Sequence, residues 1–293
     1  MSVGTMRSSL RAWALDGRRR IELRRPAQIM GIINATPDSF SDGGAHLDPD
    51  RAIAAGVGMA AAGADWLDVG GESSRPGAQA ITAELEWSRI RPAIVGLRER
   101  LPAIGISVDT CKAAVARAAL DAGADMVNDI SAGADADMFP AVAQSRCAMV
   151  LMHMQGTPAT MQRQPRYAEV VDEVEAFLDE RLKAAVAAGV PEAMVILDPG
   201  IGFGKSVEHN LRLIAALPRF AAAFQRPLMV GLSRKSFIAA LVAVGPAAER
   251  DPASHVLHAL VSDHCSLLRV HDVPGAVAAC TLAASVRNGA TDV

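Results

Sequence analysis

Aromatic residues are scarce in this chain, with one Tyr, three Trp and seven Phe among 293 residues. Half of the sequence (51%) is nonetheless apolar, so the core has to come from alanine, valine, leucine and similar small or branched side chains. Cysteine is sparse too. Cys111, Cys147, Cys265 and Cys280 lie far apart and form no CxxC pair. That spacing argues against zinc ribbons and disulfide scaffolds and for free thiols in a reducing compartment. No apolar run approaches the roughly 20 residues that a membrane-spanning helix needs. Positive charge is not in excess either: the formal net charge of -3 argues against nucleic acid as a general partner. No GxGxxG follows the first apolar strand, and no HxxxH or HxH pair marks a tightly held metal. These absences predict a soluble cytoplasmic protein with a large aliphatic core.

The arginine-rich first 27 residues carry Trp13-Ala14-Leu15-Asp16-Gly17, then Arg18 to Arg20 and Ile21-Glu22-Leu23. Two β-like pieces around Asp-Gly predict a short hairpin, and no apolar stretch there is long enough for a signal peptide. Beyond it, strand-like runs at 28–33, 66–69, 105–108, 126–128, 148–152, 195–197, 228–231 and 267–270 alternate with alanine-rich helical stretches. The helical stretches fall at 51–62, 82–100, 111–122, 168–188, 207–217, 237–244 and 274–286. The runs AAGADWLDVG at 61–70 and DAGADMVNDI at 121–130 repeat one helix end, glycine turn and strand. This alternation predicts an α/β fold, a (β/α)8 TIM barrel with a short N-terminal hairpin, as one domain over 1–293. A doubly wound open sheet is the runner-up.

In such a barrel the chemistry lies where strands end and loops begin. The residues there are Asn34, Asp68 with Glu72, Asp109, Asn128, His153, Asp198, Ser233-Arg234-Lys235, and Arg269 with His271. Helix capping explains one or two of these and not eight. The last two strands supply cations (Arg234, Lys235, Arg269, His271), which predict an anion site of the kind that loops seven and eight of barrels often form. Asp109, Asn128 and Asp198 are acceptors suited to a flat heterocycle with several N–H donors. Asp198 opens the glycine-rich DPGIGFGK at 198–205, whose Lys205 reads as a surface residue, and His153 reads as part of an apolar wall. Polar, glycine-bearing loops at 36–47 and 71–81 are long enough to close over the barrel mouth. Asn34 and Asp42 can share a Mg²⁺ with the diphosphate of a substrate, because Mg²⁺ keeps waters and takes few protein ligands.

GIINATPDSFSDGG (31–44), LDVGGESSRPGA (67–78), SVDT (107–110), VNDI (127–130), LMHMQGTPATM (151–161), ILDPGIGFGK (196–205), GLSRKSFI (231–238) and LRVHDV (268–273) run in this order over most of the chain. In these motifs the sequence resembles the dihydropteroate synthases. The resemblance implies a Mg²⁺-assisted transferase of folate biosynthesis. It joins 6-hydroxymethyl-7,8-dihydropterin diphosphate to p-aminobenzoate, giving 7,8-dihydropteroate and diphosphate, and is the target of sulfonamides. It also implies that Asp109, Asn128, Asp198 and Lys235 bond the pterin, that Arg269 stacks on it, and that Met152 and Phe203 line its pocket. By the same resemblance Asn34, Arg75, Arg269 and His271 hold the diphosphate, Asn34 and Asp42 the Mg²⁺, and Phe40, Ser74, Pro76 and Ser236 the p-aminobenzoate; on physical grounds Mg²⁺, arginine and a protonated histidine stabilise the charge of the leaving diphosphate. Diphosphate leaves first, the amine then attacks, and the protein is a homodimer.

Two departures stand out. Ala35 replaces the valine usual in the first motif, and 254–268 (SHVLHALVSDHCSLL) replaces an alanine- and glycine-rich helix. The competing readings are a pterin-binding methyltransferase domain and a pterin-binding paralogue without catalysis. The first has no use for the TPDSFSDGG loop or for a diphosphate clamp.

Overall fold

Each strand of the chain places one set of side chains inward and the alternate set outward, and the two sets differ in kind. In the computed structural model, which describes residues 12–15, 19–22, 27–36 and 48–289, the strands close into a ring. They are β3 (Gln28–Asn34), β4 (Trp66–Gly70), β5 (Gly105–Asp109), β6 (Met126–Asp129), β7 (Ala148–Met152), β8 (Val195–Asp198), β9 (Met229–Val230) and β10 (Leu267–Val270). Their order is β8-β7-β6-β5-β4-β3-β10-β9, all ladders are parallel, and a bridge between Leu197 and Leu228 joins β8 to the start of β9. Ahead of the ring, β1 (Ala12–Leu15) and β2 (Arg19–Glu22) pair antiparallel as the predicted hairpin.

Helices α1 (Pro49–Ala61), α2 (Ala83–Arg100), α3 (Ala113–Asp121), α4 (Met138–Ser145) and α5 (Val170–Ala187) follow β3 to β7 in turn. After β8 come α6 (Val207–Ala215) and α7 (Leu217–Phe224), after β9 come α8 (Ser236–Val242) and α9 (Asp251–Val261), and α10 (Val273–Asn288) follows β10. The fold is therefore a (β/α)8 barrel with extra helices. The helix expected at 207–217 is α6, which stops at Ala215 because Pro218 has no N–H to continue the ladder, and α7, which the sequence does not suggest, starts with that proline in its first turn.

Outward residues such as Ile33, Leu67, Val69, Ile106 and Val127 form the core between strands and helices. Burying each stabilises the fold by about 1.5–3 kcal/mol relative to leaving it exposed. Inward, Met30, Trp66, Met126, Ala148, Val150, Ile196, Met229 and Leu267 fill the lower barrel. Trp66 fits because Gly105 faces it, where a Cβ would lie 2.3 Å from the indole ring. Its Nε1 donates to Gln28 Oε1 at 3.2 Å. Above this apolar plug the inward positions turn polar: Trp66 is followed by Asp68, Met126 by Asn128, Ile196 by Asp198 and Leu267 by Arg269. The plug thus puts a dry floor beneath the polar layer.

Among the described residues no helix is long and apolar enough to cross a membrane. None of the three histidines of 254–268 lines the barrel mouth. His255 Nε2 pairs with Asp272 Oδ2 at 3.0 Å, while His258 is buried with no hydrogen-bond partner for either ring nitrogen among the described residues. Burial drives His258 down to about 4, so the ring stays neutral between the helices.

Candidate active site

The floor of the polar layer is an ion cluster built from four strands. Arg269 Nε donates to Asp68 Oδ2 at 2.6 Å and its Nη2 donates to Asp109 Oδ2 at 2.7 Å. Asn128 Nδ2 donates to the same Asp68 oxygen at 3.1 Å. Asp68 is fully buried. Two oxygens of the cluster, Asp68 Oδ1 and Asn128 Oδ1, are buried and unpartnered among the described residues. Burial raises the Asp109 carboxyl, and Arg269 holds it back. Asp109 spends one oxygen on Arg269, so the other is available above the floor.

Asp198 ends β8 and begins a loop whose every turn is fastened. Its Oδ1 accepts Gly200 N–H at 2.6 Å, and Asn210 Oδ1 accepts Gly202 N–H at 2.7 Å. Gln162 donates to the Gly202 carbonyl, and Tyr167, the chain's one tyrosine, donates to the Gly204 carbonyl. Lys205 is not the surface residue that the sequence leads one to expect. It is 3% exposed, and its Nζ lies 2.9 Å from both His153 Nδ1 and the Phe203 carbonyl. Burial lowers Lys205 to about 7 against the pull of Asp198, and burial together with Lys205 lowers His153 to about 3. Lys235 reaches the loop from the far side, with Nζ 4.1 Å from the Phe203 ring centroid, a cation–π contact. Burial lowers Lys235 too, against Asp198.

Above these groups opens a cavity of about 560 Å³. It is lined by Asp109, Asn128 and Arg269 of the floor cluster, by Met152, Asp198, Phe203 and Lys235, and by Asn34, Ser74, Arg75, Pro76, Ser236 and His271. Every predicted site residue that lies among the described residues thus faces one space. Phe40 and Asp42 lie outside the described residues. The loop at 71–81 is fastened at base and tip. Lys112 Nζ bridges Glu72 at 2.5 Å and the fully buried Glu86 at 2.6 Å, and the Pro158 carbonyl accepts Gly77 N–H at 3.0 Å.

Two cations differ from expectation. The Arg234 guanidinium is turned onto Asp251, with Nε to Oδ1 at 2.8 Å and Nη2 to Oδ2 at 2.7 Å, so it is not free for an anion. His271 is neutral. Burial, with Arg269, Arg234 and Lys235 nearby, lowers it to about 3. Ser233 Oγ accepts the His271 backbone N–H at 3.2 Å and lies 3.0 Å from Nδ1. A hydroxyl can donate to a bare Nδ1 or accept from an Nδ1–H, so this contact fixes the ring in either tautomer.

Asp68 and Lys205 are the residues that the sequence reading left without a role. The signal for Asp68 was its inward register on β4, two positions above Trp66. For Lys205 no local signal exists. No group of three or more His, Cys, Asp or Glu side chains among the described residues could cage a metal. The amide oxygen of Asn34, at the cavity end of β3, is a hard donor of the kind that suits a partly hydrated Mg²⁺.

A closed parallel barrel whose mouth gathers buried carboxylates, an amide and cations around one cavity has the arrangement of a barrel enzyme. The family described as pterin binding enzyme matches residues 30–271. A dihydropteroate synthase of Mycobacterium leprae is 45% identical over 260 residues, which are 86% of this chain and 90% of that protein. The solved dihydropteroate synthase of Yersinia pestis, in complex with a sulfonamide drug, superposes with a TM-score of 0.89 at 38% identity, over 95% of this chain and 100% of that one. That of Xanthomonas albilineans, with 4-aminobenzoic acid, gives 0.88 at 43%, over 95% and 99%. The chain belongs to the dihydropteroate synthase family, transferases of folate biosynthesis.

Proposed function

We propose that the cavity binds 6-hydroxymethyl-7,8-dihydropterin diphosphate and p-aminobenzoate and joins them to 7,8-dihydropteroate, releasing diphosphate. The observation that carries this reading is that one cavity brings the acceptors Asp109, Asn128 and Asp198 together with Lys235, Arg75, Arg269 and His271. Free oxygens of Asp109, Asn128 and Asp198 accept the N–H groups of the pterin, and Lys235 donates to its ring acceptors. Arg269 lies over the ring, and Met152 and Phe203 supply apolar walls. Asn34, Arg75, Arg269 and His271 hold the diphosphate. As the C–O bond to the pterin methylene breaks, charge grows on the leaving oxygens, and these donors stabilise it without a protein nucleophile. The amine then attacks the methylene carbon and loses a proton. The second substrate lies against Ser74 and Pro76 with its carboxylate near Ser236, and Phe40 is assigned to the same subsite. The solved Xanthomonas albilineans relative with 4-aminobenzoic acid supports p-aminobenzoate as a ligand.

Asn34, with Asp42, would hold a Mg²⁺. Bound there, the ion would neutralise charge on the diphosphate. The protein is further read as one domain acting as a homodimer in the cytoplasm. Val256 and Leu260 on α9 and Leu282 and Val286 on α10, 60–81% exposed, give an apolar face for a second copy. The four free thiols fit a reducing compartment.

Purified protein supplied with pterin diphosphate, p-aminobenzoate and Mg²⁺ is expected to release diphosphate and form dihydropteroate. Pterin binding with no diphosphate release at saturating substrates would leave a binding protein without catalysis and sink the proposal.

A further inference from the structure

Arg234, in the loop between β9 and α8, holds φ at 60°. Crowding of Cβ against the following carbonyl disfavours this left-handed conformation for any residue but glycine. It persists only where the surroundings over-determine it, and the first turn of α9 does so. Ser254 Oγ accepts the Arg234 backbone N–H at 3.1 Å, and Arg250 Nη1 donates to the Arg234 carbonyl at 3.0 Å. Asp251 takes the guanidinium in two near-parallel bonds of 2.7 and 2.8 Å. The Ser254 hydroxyl in turn donates to the Arg250 carbonyl at 2.8 Å, so the three holding residues are themselves joined. On the other side of the loop, Ser233 Oγ is fixed by His271.

The next residue is Lys235. Its extended backbone (φ -64°, ψ 148°) caps α8, and its side chain runs along Gly202 to lie over Phe203. A long, flexible side chain is aimed mainly by the backbone that carries it, and that backbone is set by the left-handed step at Arg234.

We propose that Asp251, with Arg250 and Ser254, is a positioning residue for the reaction: it holds Arg234 left-handed and through it aims Lys235 at the pterin. This rests on the reading of Lys235 as a pterin contact. It gives Arg234 a use other than anion binding, and it ties α9 to the substrate site.

Asp251→Ala, Lys235→Ala and the double variant, made in the full chain, are compared by steady-state kinetics with each substrate varied in turn. Asp251→Ala is expected to raise the KM for pterin diphosphate about tenfold, because small displacements of a positioned group cost on that order. The KM for p-aminobenzoate is expected to change less than about twofold, and in the Lys235→Ala background the same substitution adds less than about twofold. Adding Arg234→Gly to Asp251→Ala restores most of the loss, since glycine takes a positive φ without a clamp. A merely destabilised helix would show no such rescue. An effect that keeps its full size without Lys235, that raises both KM values alike, or that Arg234→Gly leaves untouched overturns the proposal. If Lys235→Ala itself leaves the pterin KM unchanged, the role of Lys235 falls first and the positioning role falls with it. Should Asp251→Ala not accumulate as folded protein, Asp251→Asn, which keeps one acceptor for Arg234, is read by the same rule with an expected rise of about threefold.

Discussion

Arg269→Ala is expected to lower kcat/KM by about a thousandfold, the upper range for removal of one charge-stabilising donor. The same change is expected to weaken the fold by about 3–5 kcal/mol, because it removes the cation from a buried cluster. Two carboxylates would be left behind: Asp68, fully buried, and Asp109, both now bonded to that guanidinium at 2.6 and 2.7 Å. Neither has another cation bonded to it among the described residues. Burial already raises the Asp109 carboxyl, and without Arg269 to hold it back it would take up a proton, which makes it a poorer acceptor for the pterin. Arg269→Lys keeps the charge and loses the fork that spans two acids, so it should recover stability better than activity. Urea unfolding and steady-state kinetics on both variants check this. Wild-type stability in Arg269→Ala would mean that the cluster does not depend on its cation.

Gly200→Ala is expected to be the most damaging single methyl in the site. The residue sits at φ 68°, and a Cβ there would lie 1.8 Å from the His153 carbonyl oxygen, which is backbone and has no rotamer to change. Moving either segment apart breaks the His153 N–H bond to the Asp198 carbonyl (3.0 Å) or the Gly200 N–H bond to Asp198 Oδ1 (2.6 Å). Backbone strain and overpacking of about 1–3 kcal/mol each add up to a loss of about 4 kcal/mol. In a protein of this size that lowers Tm by on the order of 10 °C. Pterin affinity should fall too, because Asp198 is oriented by the same bonds. Gly77→Ala is the control: φ is 84°, yet nothing lies within 4 Å of the added carbon, so only the conformational part, about 1 kcal/mol, remains. Equal melting temperatures for the two variants would show that the clash is relieved elsewhere.

The barrel was legible because alternation of short apolar runs with amphipathic helices is a local property, and each run keeps its own period. The acceptors of the cavity were legible for the same reason, since a residue two positions above an inward apolar one is itself inward. Other features depend on residues far away in sequence. Asp68 could be seen to end a strand, but its partner Arg269 is 201 positions further on. The burial of Lys205 is set by His153, 52 positions upstream, and nothing in GIGFGK announces it. The charge of His271 is decided by burial and by cations from β10 and the loop before α8, which the three letters VHD do not contain. The turn of Arg234 toward Asp251 likewise follows from how α9 packs. Local pattern reports which face a residue occupies, and tertiary neighbours decide what it does there.

In the proposed function the cavity has two subsites, a pterin floor and a p-aminobenzoate rim, carried by different residues. The direct measurement is the pair of KM values for Asp109→Asn and for Ser236→Ala, each against wild type. Asp109→Asn keeps the shape and loses a charged acceptor, a loss of about 1.5–3 kcal/mol, so the KM for pterin diphosphate should rise about ten- to a hundredfold while that for p-aminobenzoate stays within about twofold. Ser236→Ala should do the reverse, with a rise of about fivefold for p-aminobenzoate, as expected for one hydrogen bond. Equal damage to both substrates by each substitution would contradict the account.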